Sequence, residues 1–295
     1  MRSFSAFLST ILGTLVLAAL LTGPLYLAVH PLLPEVPFNK LASRLWQLTM
    51  VGGVALVVWR LRLRGKAAWG YGLPRPRFLR QLVLGLALGL LTMLPVATLV
   101  LGLALRLPEA GLDSARLLQL LCSGALTGLA VGFLEETFFR GLLLGAVRRE
   151  LPATVAVLLT SLLYASLHFL ARAKIPAAEV HAGSGIDLLA LSLRHFAAPL
   201  TMLDSLLALT AVGSLLALAR LWTGSIALSI GLHAGWVWVM KLTVGATQLN
   251  PSATHAALIS PIDGFTGWLV LAWTTALILM VWVFRRRFNA LRARF

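Results

Sequence analysis

Three short stretches of the chain carry groups able to move protons. They are Glu135-Glu136-Thr-Phe-Phe-Arg140, Tyr164-x-x-x-His168 and Gly231-Leu-His233-Ala-Gly-Trp236. All three lie within long apolar runs. An ionisable side chain at membrane depth costs on the order of 2.5–3.5 kcal/mol on insertion scales unless it is paired or hydrated, so each one needs a partner or a task. Glu136 and Arg140 stand four residues apart, the spacing at which a carboxylate meets a guanidinium one helical turn on. Glu135 points about 100° away around the same helix and has no partner in the local sequence. It must be protonated, reach water or face another polar group. A purely structural reading makes both acids share Arg140 as a buried ionic staple. A lone histidine in a membrane helix is often only an interhelical hydrogen bonder. Two imidazoles, His168 and His233, with one free carboxylate on three separate spans are instead the parts needed to hold and deprotonate a water. Tyr164 shares the helical face of His168, and Asp204 is a marginal member at the outer end of another run.

The elements that must position these residues are membrane helices. Of 295 residues, 59% are hydrophobic and 12% charged, and the mean hydropathy is +0.90. That balance excludes a water-soluble enzyme and a disordered chain. Apolar stretches of roughly 20 residues cross a hydrocarbon core of about 30 Å as helices. Eight are read, at residues 7–28, 41–59, 82–105, 117–147, 152–170, 200–219, 224–240 and 265–284. The expected fold is an all-α integral membrane protein, a polytopic bundle of about eight transmembrane helices around an intramembrane polar site. Counted from the span ends at 1.5 Å per residue, Glu135 and His233 lie roughly 13–17 Å deep and His168 deeper. No internal repeat is visible. The chain divides into residues 1–110 with the first three helices, a core at 111–245, and 246–295 with an outer loop, the last helix and a basic tail.

The net charge of +15, from 25 Lys and Arg against 10 Asp and Glu, would raise the question of nucleic acid in a soluble protein. Here the cations flank apolar runs, as anchors facing an anionic leaflet do, so the partner is the lipid bilayer and no nucleic acid is expected. Sixteen fall on one side: Arg2, Arg60, Arg62, Arg64, Lys66, Arg75, Arg77, Arg80, Arg148, Arg149, Arg220 and the tail Arg285, Arg286, Arg287, Arg292 and Arg294. Eight fall on the other: Lys40, Arg44, Arg106, Arg116, Arg172, Lys174, Arg194 and Lys241. This bias places both termini in the cytoplasm and the chain in the cell (inner) membrane. Gly124, Gly128 and Gly132 form a small-xxx-small face for close helix packing. Cys122, the single cysteine, makes neither an internal disulfide nor a cysteine metal site.

Rival chemistries leave no signature. No His precedes a Glu, so there is no His-Glu-x-x-His zinc helix, and no Gly-x-Ser-x-Gly elbow occurs. Gly183-Ser-Gly-Ile-Asp187 reads as a turn in the outer connection 171–199, which is expected to hold loops or short interfacial helices. His30, His181, His195 and His255 fall in loops or at span ends without a clustered acid.

The sequence resembles the CPBP family, the CAAX-protease and bacteriocin-processing intramembrane endopeptidases also called the ABI family, over about residues 117–240. The resemblance rests on Glu135-Glu136-x-x-x-Arg140 running on into Gly141-Leu142-Leu143, then Tyr164-x-x-x-His168, then His233-x-x-x-Val237. It implies a helical intramembrane protease cutting a membrane-associated protein or peptide. Glu135 would be the general base, Glu136 with Arg140 its support, and His168 and His233 the residues that bind the water or steady the oxyanion. The resemblance leaves open a glutamic mechanism or a divalent metal such as zinc held by Glu135, His168 and His233. There are two departures. Tyr164 stands where Phe is usual, and Val237 where Asn or Asp is usual; Val cannot donate a hydrogen bond to an oxyanion. An Arg-rich, Leu/Ala-rich chain suggests a GC-rich bacterial genome, which weighs against a prenylated substrate. Two alternatives stand beside the protease: a non-catalytic membrane scaffold of the same fold, which Val237 favours, and a proton-coupled transporter using the same three groups as a relay.

Overall fold

A computed structural model describes residues 1–170 and 173–284. Arg172, the tail cations Arg285, Arg286, Arg287, Arg292 and Arg294, and the side chain of His195 lie outside the described residues. In chain order the elements are α1 (Arg2–Val29), α2 (Phe38–Arg60), α3 (Arg75–Gly102), β1 (Arg106–Pro108), α4 (Ser114–Glu136), α5 (Leu144–Val147), α6 (Ala153–Leu167), α7 (Ser184–Leu193), α8 (Leu203–Thr223), α9 (Ala227–Gly245), β2 (Thr247–Leu249) and α10 (Trp268–Val283). A π-wound segment, Thr137–Leu143, joins α4 to α5.

Local sequence accounts for several boundaries. Asp113 caps α4 by accepting the Arg116 amide at 2.7 Å, as short acceptor side chains do at helix starts. Pro76 enters the first turn of α3, where its missing N–H costs nothing. Gly224 ends α8 at φ 71°, in the left-handed region that suits glycine.

Among the described residues six helices are long and apolar enough to cross a membrane: Arg2–Val29, Phe38–Arg60, Arg75–Gly102, Ser114–Val147, Pro199–Thr223 and Ala227–Gly245. Leucines such as Leu91 (67% exposed) and Leu126 (70% exposed) point out of the bundle, a surface that only lipid covers without penalty. The chain is a multi-pass membrane protein. The expected spans 152–170 and 265–284 form shorter helices of 15 and 16 residues, about 22–24 Å of rise against the roughly 30 Å core.

Helix α9 is the centre of the bundle: 67% of its apolar window is buried, against 11–33% for the first four spans. Glycines allow this. A Cβ on Gly231 would lie 2.0 Å from the Leu82 carbonyl oxygen of α3, and one on Gly128 of α4 would lie 2.4 Å from the Ala234 carbonyl oxygen of α9. The small-xxx-small face of α4 is thus the α4–α9 interface, and α3 grips α9 from another side. A side-chain bond reinforces it, since the indole N–H of Trp236 donates to Thr92 Oγ1 at 2.8 Å, while that of Trp273 on α10 donates to the Thr92 carbonyl at 2.7 Å. Gly231→Val must therefore push α3 and α9 apart, and the folded yield in detergent should collapse. Gly52→Val, with open space around its Cβ position, should leave the yield near that of the parent.

The all-α expectation needs one correction. Helix accounts for 74% of the described residues, but β1 and β2 pair antiparallel with Arg106 opposite Leu249. The ladder is fastened by Arg106, only 6% exposed. It donates to Thr247 Oγ1 at 2.7 Å and to the carbonyls of Thr247, Gly264 and Val244 at 2.8, 2.9 and 3.2 Å. Burial pulls its guanidinium down from the ordinary value, with Asp263 acting the other way. Its place in the charge count is thus also that of a latch, tying the end of α9 to the loop before α10. In the 171–199 connection, Gly183-Ser-Gly-Ile-Asp187 is not a free turn but the start of α7, which packs on α1. His181, read as having no acid nearby, has Nε2 at 3.1 Å from Asp187 Oδ2 in an exposed pair.

Candidate active site

The site begins where α4 changes its winding. The helix is π-wound from Thr137, immediately after Glu136, whereas the spacing argument assumed a regular α-helix. Single π turns widen a helix and recur at functional positions. The Glu136–Arg140 pair forms nonetheless, with Arg140 Nη1 donating to Glu136 Oε1 at 2.9 Å. Arg140 Nη2 donates to the Gly213 carbonyl of α8 at 3.1 Å, and the guanidinium carbon lies 4.5 Å from the centre of the Tyr164 ring. Both partners are removed from solvent, Glu136 at 0% and Arg140 at 2% exposure.

Glu136 has a second partner that the local sequence did not show. His233 Nδ1 lies 2.9 Å from the same Oε1. An ionised carboxylate only accepts, so this ring nitrogen carries the proton and donates. The buried acid therefore holds the arginine from its own helix and the histidine from α9.

Glu135 faces the other way, 28% of its side chain exposed, with Oε2 3.9 Å from His168 Nε2 and 3.9 Å from His233 Nε2. His168 caps the end of α6, and its Nδ1 lies 2.8 Å from the Tyr164 carbonyl oxygen. A carbonyl only accepts, so Nδ1–H donates and Nε2 is the nitrogen turned to Glu135. His168, counted as deeper than the others, meets them in space. Tyr164 walls the group, its ring edge-to-face with His168 at 4.5 Å and with His233 at 6.2 Å. All five expected residues, Glu135, Glu136, Arg140, His168 and His233, are thus in one cluster. Asp204, in the first turn of α8, is not among its bonded groups. Val237, one turn beyond His233, is buried and apolar.

The loop between α2 and α3 supports this cluster from below, and sequence reasoning treated it only as a run of charge. Tyr71 shares a 2.5 Å hydrogen bond with the Thr137 hydroxyl. Thr137 donates its own proton to the Phe133 carbonyl at 2.6 Å, so Tyr71 is the donor. A Cβ on Gly141 would sit 2.5 Å from the Trp69 carbonyl oxygen, which is why the π segment can lie directly on this loop.

One carboxylate oxygen and two Nε2 atoms are ligand types that zinc accepts. Among the described residues, however, no group of three or more His, Cys, Asp or Glu is arranged to hold a metal ion. The expected trio Glu135, His168 and His233 is not so arranged, its Oε2–Nε2 separations being 3.9 Å, and no step below passes through a metal.

Residues 117–239 match the family model described as type II CAAX prenyl endopeptidase Rce1-like. That stretch is similar to the Rce1-like endopeptidases of the CPBP family. No curated protein and no solved structure matches the chain. The matched stretch runs from α4 into α9 and contains every residue of the cluster. Helices α1 to α3 and α10 lie outside the match, although α3 packs directly on α9. The family supports a CAAX-type intramembrane protease.

Proposed function

We propose that the protein is a glutamic intramembrane endopeptidase in which Glu135 activates water. The observation that carries the reading is the position of Glu135 Oε2, 3.9 Å from the Nε2 atoms of both His168 and His233. That separation is too long for a direct hydrogen bond and leaves the distance that one bridging water spans. The water gives one proton to Glu135 as its oxygen attacks the scissile carbonyl carbon; Glu135 then passes that proton to the departing amine, leaving a carboxylic acid and an amine. His168, its tautomer fixed by the Tyr164 carbonyl, accepts a hydrogen bond from the water and orients it. His233 has an ionised acid behind Nδ1, the arrangement that stabilises an imidazolium, and can donate from Nε2 to the oxyanion.

The substrate is a membrane-associated protein or peptide, because Glu135 and His168 are partly exposed within a membrane bundle while the rest of the cluster is buried. The name of the matched family makes a prenylated C-terminal peptide the first probe, beside its unprenylated counterpart. Purified protein in vesicles should hydrolyse at least one of the two at a single bond. Activity should survive chelator treatment, with no stoichiometric zinc on elemental analysis. Proton flux without hydrolysis of any membrane peptide would support the transporter reading instead. Val237→Asn adds an amide one turn from His233; a full oxyanion donor is worth about 10²–10³ in kcat, so the turnover should rise. An unchanged kcat would mean that His233 already serves the oxyanion, and an inert parent with an inert Val237→Asn would favour the scaffold.

A further inference from the structure

A cavity of about 860 Å³ lies away from the proton-moving cluster, at the turn between α2 and α3. Its wall includes Arg64, Lys66 and Arg75 beside Trp69, Tyr71 and Phe78. The three cations are exposed, and none forms an ion pair among the described residues, which contain all 10 Asp and Glu of the chain. The aromatic floor is firmly built. Trp69 Nε1 donates to the Leu63 carbonyl at 2.8 Å, Tyr71 stacks on Phe78 at 5.4 Å, and the Gly70 carbonyl accepts the Ile226 amide at 3.1 Å. Burial pushes the Tyr71 hydroxyl up from its ordinary value, which keeps it a neutral donor to Thr137.

We propose that this cavity binds the head group and upper acyl chain of an anionic phospholipid. Three unneutralised cations call for an anion. The volume is that of a drug-sized ligand site and exceeds what an inorganic phosphate fills, and the aromatic and aliphatic wall suits an amphiphile. The cavity also opens where two membrane spans end, at the level of lipid head groups, on the side that holds the α5–α6 turn, since the Ser3 amide of α1 reaches Glu150 there at 3.0 Å. Basic pockets between spans are a recurrent form of head-group site. The site does not depend on the protein being a protease.

The test is tryptophan quenching in vesicles containing brominated phosphatidylglycerol or, at equal mole fraction, brominated phosphatidylcholine. The anionic lipid should quench more, and Trp69→Phe should remove the excess. Combining Arg64→Gln, Lys66→Gln and Arg75→Gln should weaken the anionic preference by about fivefold per charge, on the order of 10²-fold in all. The control combines Arg2→Gln, Arg148→Gln and Arg149→Gln, three cations on the same side and outside the cavity, and should keep the preference. These substitutions are on exposed side chains; a matching size-exclusion profile confirms that each variant is folded before quenching is compared. Equal quenching by both lipids, equal loss in both triple variants, or full displacement of the lipid by inorganic phosphate would overturn the proposal.

Discussion

Glu135→Gln should lower the rate of peptide hydrolysis by about 10²–10⁴-fold, the range lost when a positioned general base is removed, with the protein still folded. Gln keeps the size and polarity of the side chain, and the 28% exposure of Glu135 lets water solvate the amide. The substitution breaks no hydrogen bond, because Glu135 Oε2 is buried without a bonded partner and its near neighbours are the two Nε2 atoms at 3.9 Å. The loss should appear in kcat with little change in KM, as expected of a group that acts in the transition state. His168→Ala should show a smaller loss of the same kind, since it orients the water without taking its proton. Hydrolysis by Glu135→Gln at the parental rate, measured on the same peptide and with matching thermal unfolding, would remove Glu135 from the mechanism and leave Glu136 or a proton relay to be considered.

The parts of this site were legible in the sequence to the degree that chemistry in lipid is expensive. Glu135, Glu136, Arg140, His168 and His233 stood out because an apolar run gives a charge no cheap alternative. The helical identity of the chain followed from hydropathy for the same reason. Legibility failed where the determinant is distant or geometric. The bond from His233 to Glu136 joins residues 97 positions apart, and no local spacing encodes it. The support of Thr137 by Tyr71 crosses 66 positions from a loop whose charge masked its aromatic content. The short strands of the β1–β2 ladder have no alternating pattern long enough to register, and Arg106 looked like an anchor because burial is invisible in composition. Span lengths were overestimated at 152–170 and 265–284, because the apolar run continues past the last turn of α6 and begins before the first turn of α10.

Glycine placement joins the fold to the site. His233 lies between Gly231 and Gly235, and a Cβ at either would collide with the backbone of α3. The close approach that brings α3 onto α9 therefore holds the histidine at a fixed height opposite α4, where Gly128 and Gly132 admit α9 equally closely. Those two contacts fix one imidazole relative to both glutamates with backbone rather than with long side chains, which costs little conformational entropy. Helix α3, although outside the matched family stretch, is thus part of what positions the Rce1-like cluster.

The second large effect is expected on stability. Arg140→Met removes the cation from a Glu136 that has 0% exposure, leaving a buried carboxylate with only the His233 Nδ1–H. Breaking one side of a buried ion pair costs about 3–5 kcal/mol, most of it the penalty for the stranded charge. Folded yield and thermal stability should both fall steeply. Glu136→Gln strands the guanidinium instead, but Arg140 keeps the Gly213 carbonyl at 3.1 Å and the Tyr164 ring at 4.5 Å, so its loss should be smaller. The combination Arg140→Met with Glu136→Leu removes both charges, and apolar replacement of a whole buried pair is often neutral or better. It should therefore recover most of the stability lost in Arg140→Met, a coupling that a double-mutant cycle reads directly. It should not recover activity, because His233 loses the acceptor that fixes its tautomer and stabilises its protonated form. A double variant as unstable as Arg140→Met would show that the arginine acts through Gly213 and Tyr164 rather than through Glu136, while a stable and fully active one would remove the buried pair from the catalytic arrangement.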